Sequence, residues 1–186
     1  MLSSEDPLSK KPQRILIAGV SGVGKTTLAA RLSQILDVPH TEIDSLFHGP
    51  NWVPRDTFLH DVGSLVSQDA WITEWQYSTA RRMLAEKADL LLWLDLPFLT
   101  ATLPRVIRRT LKRRLNREEL WNGNVEGPLY RFFTDREHIV RWAWSTRNKY
   151  RKLIPEVESE FAHLTVVRLR SQREIERWLS DLLNAY

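Results

Sequence analysis

The fold of this chain is decided by residues 14–27, which read RILIAGVSGVGKTT. The apolar run Ile15–Ala18 is followed by glycines at the spacing Gly-x4-Gly-Lys-Thr, which ends at Thr26. The residues after Thr27 continue with apolar side chains at helical spacing as far as Leu36. A strand, a glycine-rich loop and a helix in this order are the phosphate-binding P-loop. The stretch therefore predicts a three-layer α/β P-loop NTPase fold.

Each residue type in this loop has a physical task. Glycines let the backbone turn so that successive N–H groups and the positive end of the next helix face one concavity. Lys25 is expected to reach the β- and γ-phosphates of ATP, and the hydroxyl of Thr26 is expected to coordinate Mg²⁺. The predicted nucleotide-binding residues are Gly19, Ser21, Gly22, Val23, Gly24, Lys25, Thr26 and Thr27.

Length and composition limit the class of protein. A chain of 186 residues suits one domain, which we place at 14–186, after a polar leader, 1–13, that we expect to be flexible. There is no cysteine, so disulfides and thiolate metal sites are excluded. No apolar run could cross a bilayer, and we expect a cytoplasmic protein. The net charge of +4 suits an anionic partner, either a phosphorylated small molecule or a nucleic acid.

Candidate strands and helices alternate after the P-loop, which predicts a parallel sheet covered on both faces. The candidate strands after the first are His40–Asp44, Ala70–Glu74, Asp89–Asp95 and Leu164–Leu169. Asp44 would then lie at the sheet edge where ligands bind in open α/β folds. The alternative is that Asp44 only caps a turn. Residues 98–153 interrupt the alternation with basic helical sequence and are predicted to form a lid.

The first lid helix, predicted from Phe98 to about Asn116, is amphipathic. Its apolar side is predicted to carry Leu103, Ile107, Leu111 and Leu115. Arginines recur every four residues, which places them in one stripe, and their planar forks suit bidentate phosphate binding. The stripe is Arg105, Arg109, Arg113 and Arg117. The alternative is a solvated helix face, but seven basic residues in this helix region without an interleaved acid favour a phosphate-binding role.

Two carboxylates compete for a place near Mg²⁺. Asp95 follows the apolar run Leu90–Leu94, as in a Walker B strand, and Glu74 ends the preceding candidate strand. The pattern alone favours Asp95. The choice depends on which strand lies beside the P-loop strand, and the pattern leaves that open.

The chain resembles the small P-loop kinases of the adenylate kinase-like group, specifically the DNA topology modulation proteins. The motifs that carry the resemblance, besides the P-loop, are Glu42-Ile43-Asp44, Pro50-Asn51-Trp52, Ala88–Pro97, Leu120–Asn124 with Glu126, and Arg141–Trp144. The resemblance implies the nucleoside-monophosphate-kinase fold, with a parallel five-stranded sheet in the order 2-3-1-4-5 and a mobile helical lid. It also implies Glu74 as the carboxylate on the metal side, and an acceptor pocket formed by Asp44, Trp52 and Tyr77.

One motif departs from the family pattern. Glu74-Trp75-Gln76-Tyr77 stands where such relatives carry Asp-Gly-Asn-Tyr. Loss of the glycine removes a place where backbone can approach a ligand, and Trp75 fills space. We therefore expect an acceptor other than a nucleoside monophosphate, or an impaired acceptor site.

The sequence thus predicts an ATP- and Mg²⁺-dependent phosphotransferase acting on a nucleotide or another small acceptor. Lys25, Arg109, Arg113 and Arg117 are its predicted catalytic cations, and Thr26 and Glu74 its metal-side residues. Asp44 would position or deprotonate the acceptor. The rival from another class is a nucleic-acid-associated regulator that uses the same arginines on a phosphodiester backbone, and a third possibility is a plain ATP hydrolase. Nucleic-acid binding is not favoured, because Trp121 is the one aromatic suited to base stacking near these arginines.

Overall fold

The computed structural model of the protein describes residues 1–115, 119–125 and 144–186. Its strands are β1 (Arg14–Ala18), β2 (Trp71–Glu74), β3 (Leu90–Leu94), β4 (Glu119–Leu120), β5 (Asn124–Val125) and β6 (Thr165–Leu169). Its α-helices are α1 (Lys25–Leu36), α2 (Ile43–Phe47), α3 (Phe58–Val66), α4 (Ser78–Lys87), α5 (Leu103–Leu115), α6 (Lys149–Glu160) and α7 (Gln172–Ala185). Among these helices, none has both the length and the apolar character needed to span a membrane.

The main sheet is parallel, with the strand order β2-β1-β3-β6. Every side chain of β2 and β3 is buried, as expected for a parallel sheet covered by helices on both faces. On the helical layers, α1 contacts α7 and α3 contacts α4. The register pairs Ile17 with Glu74 and Ala18 with Trp93. The carboxyl ends of the strands therefore bring the P-loop, Glu74 and Asp95 to one edge of the sheet.

The predicted five-stranded sheet in the order 2-3-1-4-5 is wrong, because the main sheet formed by the described residues has four strands. The segment predicted as the strand His40–Asp44 makes one parallel bridge, between His40 and Ile72, and then turns into α2. Its backbone hydrogen bonds to β2 are those of Pro39 and Thr41 with Ile72. Asp44 consequently lies in the first turn of a helix and not at the end of a strand.

The opposite edge of the sheet is contacted by the N-terminal segment. Leu2 forms a parallel bridge with Val167, donates its N–H to Val166 O (2.7 Å) and accepts from Arg168 N (3.0 Å). The predicted flexibility of residues 1–13 stays a prediction. The contacts at Leu2 place this segment along the outer side of β6.

Helix α5 packs on the P-loop through a face that differs from the predicted one. Val106 is fully buried against Gly22, whereas Ile107 and Leu111 are 43% and 41% exposed. The prediction of an apolar, packed side is therefore wrong for Ile107 and Leu111. Leu103 is partly buried, and the side chain of Leu115 lies outside the described part of the structure. The reason is shape, because the absence of a side chain at Gly22 leaves the space that Val106 occupies.

Gly22→Ala should destabilise the protein. A Cβ at this position would overlap Cγ2 of Val106, and the residue has φ +77°, a left-handed conformation that strains any residue but glycine. We expect a loss of about 1–3 kcal/mol in the free energy of unfolding, measured by urea denaturation. The matched control is Gly63→Ala in α3, where an added Cβ meets no atom within 4 Å. This change should leave stability equal or raise it by up to about 1 kcal/mol. Equal stability of the two variants would contradict the packing of α5 on the loop.

Candidate active site

The P-loop connects β1 to α1, and glycines occupy two positions of the loop where the backbone turns with a left-handed φ. Gly22 has φ +77° and Gly24, the N-cap of α1, has φ +107°. The loop is closed by Val23 N–H donating to Val20 O (3.3 Å), and α1 begins with Leu28 N–H donating to Gly24 O (3.0 Å). The amide groups at the start of α1 have no intrahelical acceptors, which is the arrangement that binds phosphate oxygens at helix N-termini.

Lys25 is partly buried at the first position of α1. Its Nζ donates to Val20 O at 3.5 Å. Burial lowers the pKa of Lys25, and the positive charge of Arg109 lowers it further, whereas the carboxylates of Asp44 and Glu74 oppose the shift. The ammonium therefore lies among both carboxylates of the predicted site and one arginine of α5.

Glu74 joins three parts of the site at the end of β2. It is 4% exposed, accepts the hydroxyl of Thr26 on Oε1 (3.2 Å), and accepts the N–H of Ile43, the first residue of α2, on Oε2 (3.0 Å). His40 Nε2 lies 3.5 Å from Oε1. Burial alone would raise the pKa of Glu74, but His40, the Ile43 N–H and the charge of Lys25 together hold it below its usual value. Glu74 is therefore ionised at neutral pH.

Asp95, the competing carboxylate, has other partners. Arg168 binds its Oδ2 through Nε (3.1 Å) and Nη2, and Arg151 Nε lies 3.5 Å from Oδ1. The guanidinium of Arg168 also lies over the Trp93 ring, 4.5 Å from its centroid. Among the described side chains, Asp95 therefore contacts Arg168 and Arg151. Thr26, by contrast, donates its hydrogen bond to Glu74.

Asp44 is held by two neighbouring side chains. Its Oδ1 accepts from Gln76 Nε2 and from Tyr77 Oη, both at 2.6 Å. Tyr77 Oη also lies 3.1 Å from His48 Nε2, and since the hydroxyl has one proton, His48 is the donor in that contact. Burial and the charge of Asp44 raise the pKa of Tyr77, so the phenol stays protonated. The Tyr77 ring stacks on Phe47 with centroids 3.9 Å apart.

Trp52 belongs to a loop, residues 48–54, that contacts the β4–β5 hairpin. It has φ +61°, is 37% exposed, and its ring lies edge-on to His48 at 5.1 Å. Buried Asn124 accepts the Trp52 N–H (2.9 Å) and donates to Gly49 O (2.9 Å). Asn122 donates to His48 O (2.5 Å). Asp44, Tyr77 and Trp52 therefore lie in one chain of contacts through His48.

The predicted arginine stripe is described in part. Arg105 Nη1 donates to Val23 O in the P-loop (3.4 Å), and Arg109 acts electrostatically on Lys25. Arg113 belongs to α5, but its side chain is outside the described part of the structure, and Arg117 lies outside the described residues altogether. The first half of the stripe therefore faces the P-loop.

Trp75, where the sequence departs from the family pattern, connects β2 to two helices. It is 3% exposed, and its N–H donates to Ile17 O in β1 (2.9 Å). Its indole Nε1 donates to Arg81 O in α4 (3.0 Å), and its carbonyl accepts from Tyr150 Oη in α6 (3.1 Å). Trp75 therefore serves the packing of α4 and α6 beside the P-loop.

Sequence reasoning missed several residues of this site. His40 and Gln76 contact the predicted carboxylates, and Asn124 holds the loop that carries Trp52. Arg81 lies over the Trp75 ring and Lys149 over the Tyr150 ring. Asn124 belongs to a motif that the resemblance singles out, so that motif was a usable signal. Gln76 lies in the Glu74–Tyr77 motif, which was also a usable signal. His40, Arg81 and Lys149 lie in no recognisable pattern, because their contacts depend on how the helices pack.

The chain is similar in fold to shikimate kinase from Acinetobacter baumannii, solved in complex with shikimate. The TM-score is 0.56 and the identity 16%, over 93% of this chain and 92% of that one. The chain therefore shares the fold of this shikimate kinase. A gluconokinase from Sinorhizobium meliloti 1021 gives a TM-score of 0.49 at 16% identity, over 95% of this chain and 94% of that one. A sugar kinase from Janibacter sp. HTCC2649 gives 0.45 at 19% identity, over 92% of each chain.

Neither a protein-family model nor a curated protein matches the chain. At 16% identity the likeness to the shikimate kinase extends to the fold. The finer resemblance to adenylate kinase-like DNA topology modulation proteins rests on the sequence motifs alone.

Tyr150→Phe should change how stability depends on pH. Burial raises the pKa of Tyr150 from 10.0 to about 12, so the folded state favours the neutral phenol. That contribution is fully present below pH 10 and is lost as pH rises through 12. The variant should cost about 1 kcal/mol at pH 8, because the bond to Trp75 O is lost. The advantage of the parent protein should vanish above pH 10 and turn into a deficit before pH 12, because two pKa units correspond to about 2.7 kcal/mol. Urea denaturation of both proteins measures this. A difference that stays constant over that interval would contradict the buried position of the hydroxyl.

Proposed function

We propose that the chain is a P-loop kinase, an ATP- and Mg²⁺-dependent phosphotransferase that moves the γ-phosphate of ATP to a nucleotide or another small acceptor. The observation that carries this proposal is the contact between Thr26 and the ionised, buried Glu74 at the mouth of the P-loop, 3.2 Å apart. A hydroxyl and a carboxylate beside a phosphate-binding loop are what a hydrated Mg²⁺ ion on a nucleotide requires.

The residues present fit such an ion. Within the described ranges, no group of three or more His, Cys, Asp or Glu side chains could hold a metal by itself. Mg²⁺ suits this situation, since it keeps several waters and binds through one or two protein oxygens together with substrate phosphates. Thr26 and Glu74 would hold it. When bound, it would neutralise charge on the phosphate oxygens. Asp95 fits less well, because its carboxylate is engaged by Arg168 and Arg151.

The protein's own part in transfer is positioning and charge stabilisation. The P-loop amides and Lys25 would bind the β- and γ-phosphates, and Arg109 would add positive charge from α5. Arg113 and Arg117 remain proposed lid cations on the strength of the sequence. A network of cations on several elements suits a transition state whose charge is spread over the oxygens of the transferred group.

Asp44 would position or deprotonate the acceptor. Both of its hydrogen bonds go to Oδ1, so within the described structure Oδ2 remains for the acceptor. Gln76 and Tyr77 fix the carboxylate by donating hydrogen bonds to Oδ1. Trp52, Tyr77 and His48 would form the wall of the acceptor pocket. The finer proposal, a nucleotide as acceptor, rests on the motifs shared with adenylate kinase-like proteins.

Lys25→Ala should abolish phosphoryl transfer without unfolding the protein. Removing the ammonium takes away stabilisation at the transferring phosphate, and we expect kcat to fall at least about 100-fold. The assay screens nucleoside monophosphates and small alcohols for transfer of radiolabelled γ-phosphate, and then compares variants on the acceptor that works best. Lys87→Ala, an exposed lysine at the end of α4, is the matched control and should retain full activity. A Lys25→Ala enzyme as fast as the parent would refute the proposal.

Glu74→Gln and Asp95→Asn should separate the two candidate metal carboxylates. Each change removes one charge and keeps the side-chain shape. Because Glu74 contacts Thr26, we expect its variant to need at least about 10-fold more Mg²⁺ for half-maximal activity, while the Asp95 variant keeps the parent requirement. A magnesium titration of turnover measures both. The opposite ranking would assign the metal to Asp95.

A further inference from the structure

One side chain of the β4–β5 hairpin bonds the backbone of a distant loop, residues 48–54. Asn124 is 4% exposed. Its Oδ1 accepts the N–H of Trp52 and its Nδ2 donates to Gly49 O, both at 2.9 Å. The contacts bridge 72 and 75 residues of sequence, so they belong to the tertiary structure and not to a local turn. One buried amide thus pairs a donor and an acceptor of the same loop.

This loop has a turn that its tryptophan does not favour. Asn51 and Trp52 have φ +57° and +61°. Asparagine tolerates this left-handed region, whereas a bulky aromatic residue rarely adopts it. The base of the loop is closed by Gly49 N–H donating to Val53 O (2.7 Å). Asn124 adds hydrogen bonds to the turn itself, and these offset the cost of the conformation at Trp52.

A second asparagine of the hairpin bonds the same loop. Asn122 Nδ2 donates to His48 O (2.5 Å). Asn122 and Gly123 form the turn between β4 and β5, with φ +58° and +75°. The hairpin therefore brings two side-chain amides to the backbone of the loop.

The position of His48 matters for the proposed chemistry. Its Nε2 donates to Tyr77 Oη (3.1 Å), and that hydroxyl donates to Asp44 Oδ1 (2.6 Å). The rings of His48 and Trp52 lie edge to face with centroids 5.1 Å apart. A shift of the loop backbone would therefore displace two parts of the proposed acceptor wall and disturb the hydrogen bonds on Asp44.

The two bonds to the loop require an asparagine at position 124. Its amide offers an acceptor oxygen and a donor nitrogen on one short side chain. Aspartate could accept from Trp52 but would place a second oxygen against Gly49 O, and alanine has neither group. A buried backbone group that loses its partner is costly. The loop would therefore leave its present conformation if the amide were removed.

We propose that Asn124 is a positioning residue of the acceptor site, which acts through the backbone of residues 48–54 and sets where Trp52 and His48 meet the acceptor. This inference rests on the proposed kinase function and specifies how the acceptor side of the site is held. The bonds of Asn124 reach the acceptor side, whereas Lys25 would bind the phosphates of ATP. Loss of the amide should therefore weaken acceptor binding and leave ATP binding unchanged.

Hydrogen exchange tests the structural part of this proposal without a ligand. In full-length Asn124→Ala, we expect the amides of residues 48–54 to exchange at least about 10-fold faster than in the parent, because two hydrogen bonds are lost. Peptides that cover the P-loop should exchange at the parent rate. Mass spectrometry of both proteins measures this. The matched control is Asn184→Ala, at an exposed asparagine near the end of α7, which should leave exchange in the loop unchanged.

Steady-state kinetics test the functional part. On the acceptor that works best in the screen of nucleoside monophosphates and small alcohols, we expect Asn124→Ala to raise KM for the acceptor at least about 10-fold. The KM for ATP and the Kd of a fluorescent ATP analogue with Mg²⁺ should stay within about 2-fold, as should every constant of Asn184→Ala. A residue that only stabilises the fold would lower the active fraction, which reduces kcat and leaves both KM values unchanged.

The outcomes separate the two proposals. Parent-like exchange of residues 48–54 in Asn124→Ala, or a parent-like KM for the acceptor, overturns the positioning role, while transfer by the parent leaves the kinase proposal standing. A parent protein that fails to bind the ATP analogue, or that binds it and phosphorylates no acceptor of the screen, refutes the proposed function, and the positioning role falls with it.

Asn124→Asp decides the question if Asn124→Ala does not fold. It keeps the size of the side chain and the bond to the Trp52 N–H, and it loses the donation to Gly49 O. We expect KM for the acceptor to rise at least about 3-fold, because one hydrogen bond is lost. An unchanged KM in this variant would overturn the positioning role.

Discussion

The carboxylate of Glu74 is the constraint on which the arrangement of this site depends. A charge that is 4% exposed is costly, and it is tolerated here because two hydrogen-bond donors and a nearby imidazole surround it. Thr26 comes from α1, the Ile43 N–H from the start of α2, and His40 from the segment before α2. One ionised group thus ties the nucleotide-binding loop to the segment that carries Asp44. Removal of that charge would affect both halves of the site together.

The P-loop was predictable because its chemistry is local. Glycines, a lysine and a threonine at fixed spacing between a strand and a helix determine the backbone path without distant contacts. The choice between Glu74 and Asp95 was not local, since it depended on the strand order. Pairing of β1 with β2 puts Glu74 beside the loop, while Asp95 is engaged by arginines from α6 and β6. Asp44 was predicted on a strand, but its neighbour Ile43 donates to Glu74 and begins a helix instead.

Shape complementarity accounts for the other differences. Periodicity assigned Ile107 and Leu111 to the apolar side of α5, but Val106 is the residue that fits over Gly22. The spacing of apolar residues indicates that a helix can bury some of its side chains. The shape of the backbone that packs against the helix determines which side chains are buried. The same holds for Trp75, which the sequence suggested as a space filler. Its ring and both backbone polar groups organise Arg81, Tyr150 and β1, contacts that follow from the packing of α4 and α6.

Both margins of the main sheet are partly covered by short stretches of chain. At the β6 edge, Leu2 forms backbone hydrogen bonds with Val166 and Arg168. At the β2 edge, Ile72 forms backbone hydrogen bonds with Pro39 and Thr41. An uncovered outer strand is a template on which another polypeptide can add by main-chain pairing, which leads to aggregation. These two short segments occupy part of each edge strand without adding a strand to the main sheet. The protein should therefore resist self-association through strand addition, and removing residues 1–6 would expose β6 to it.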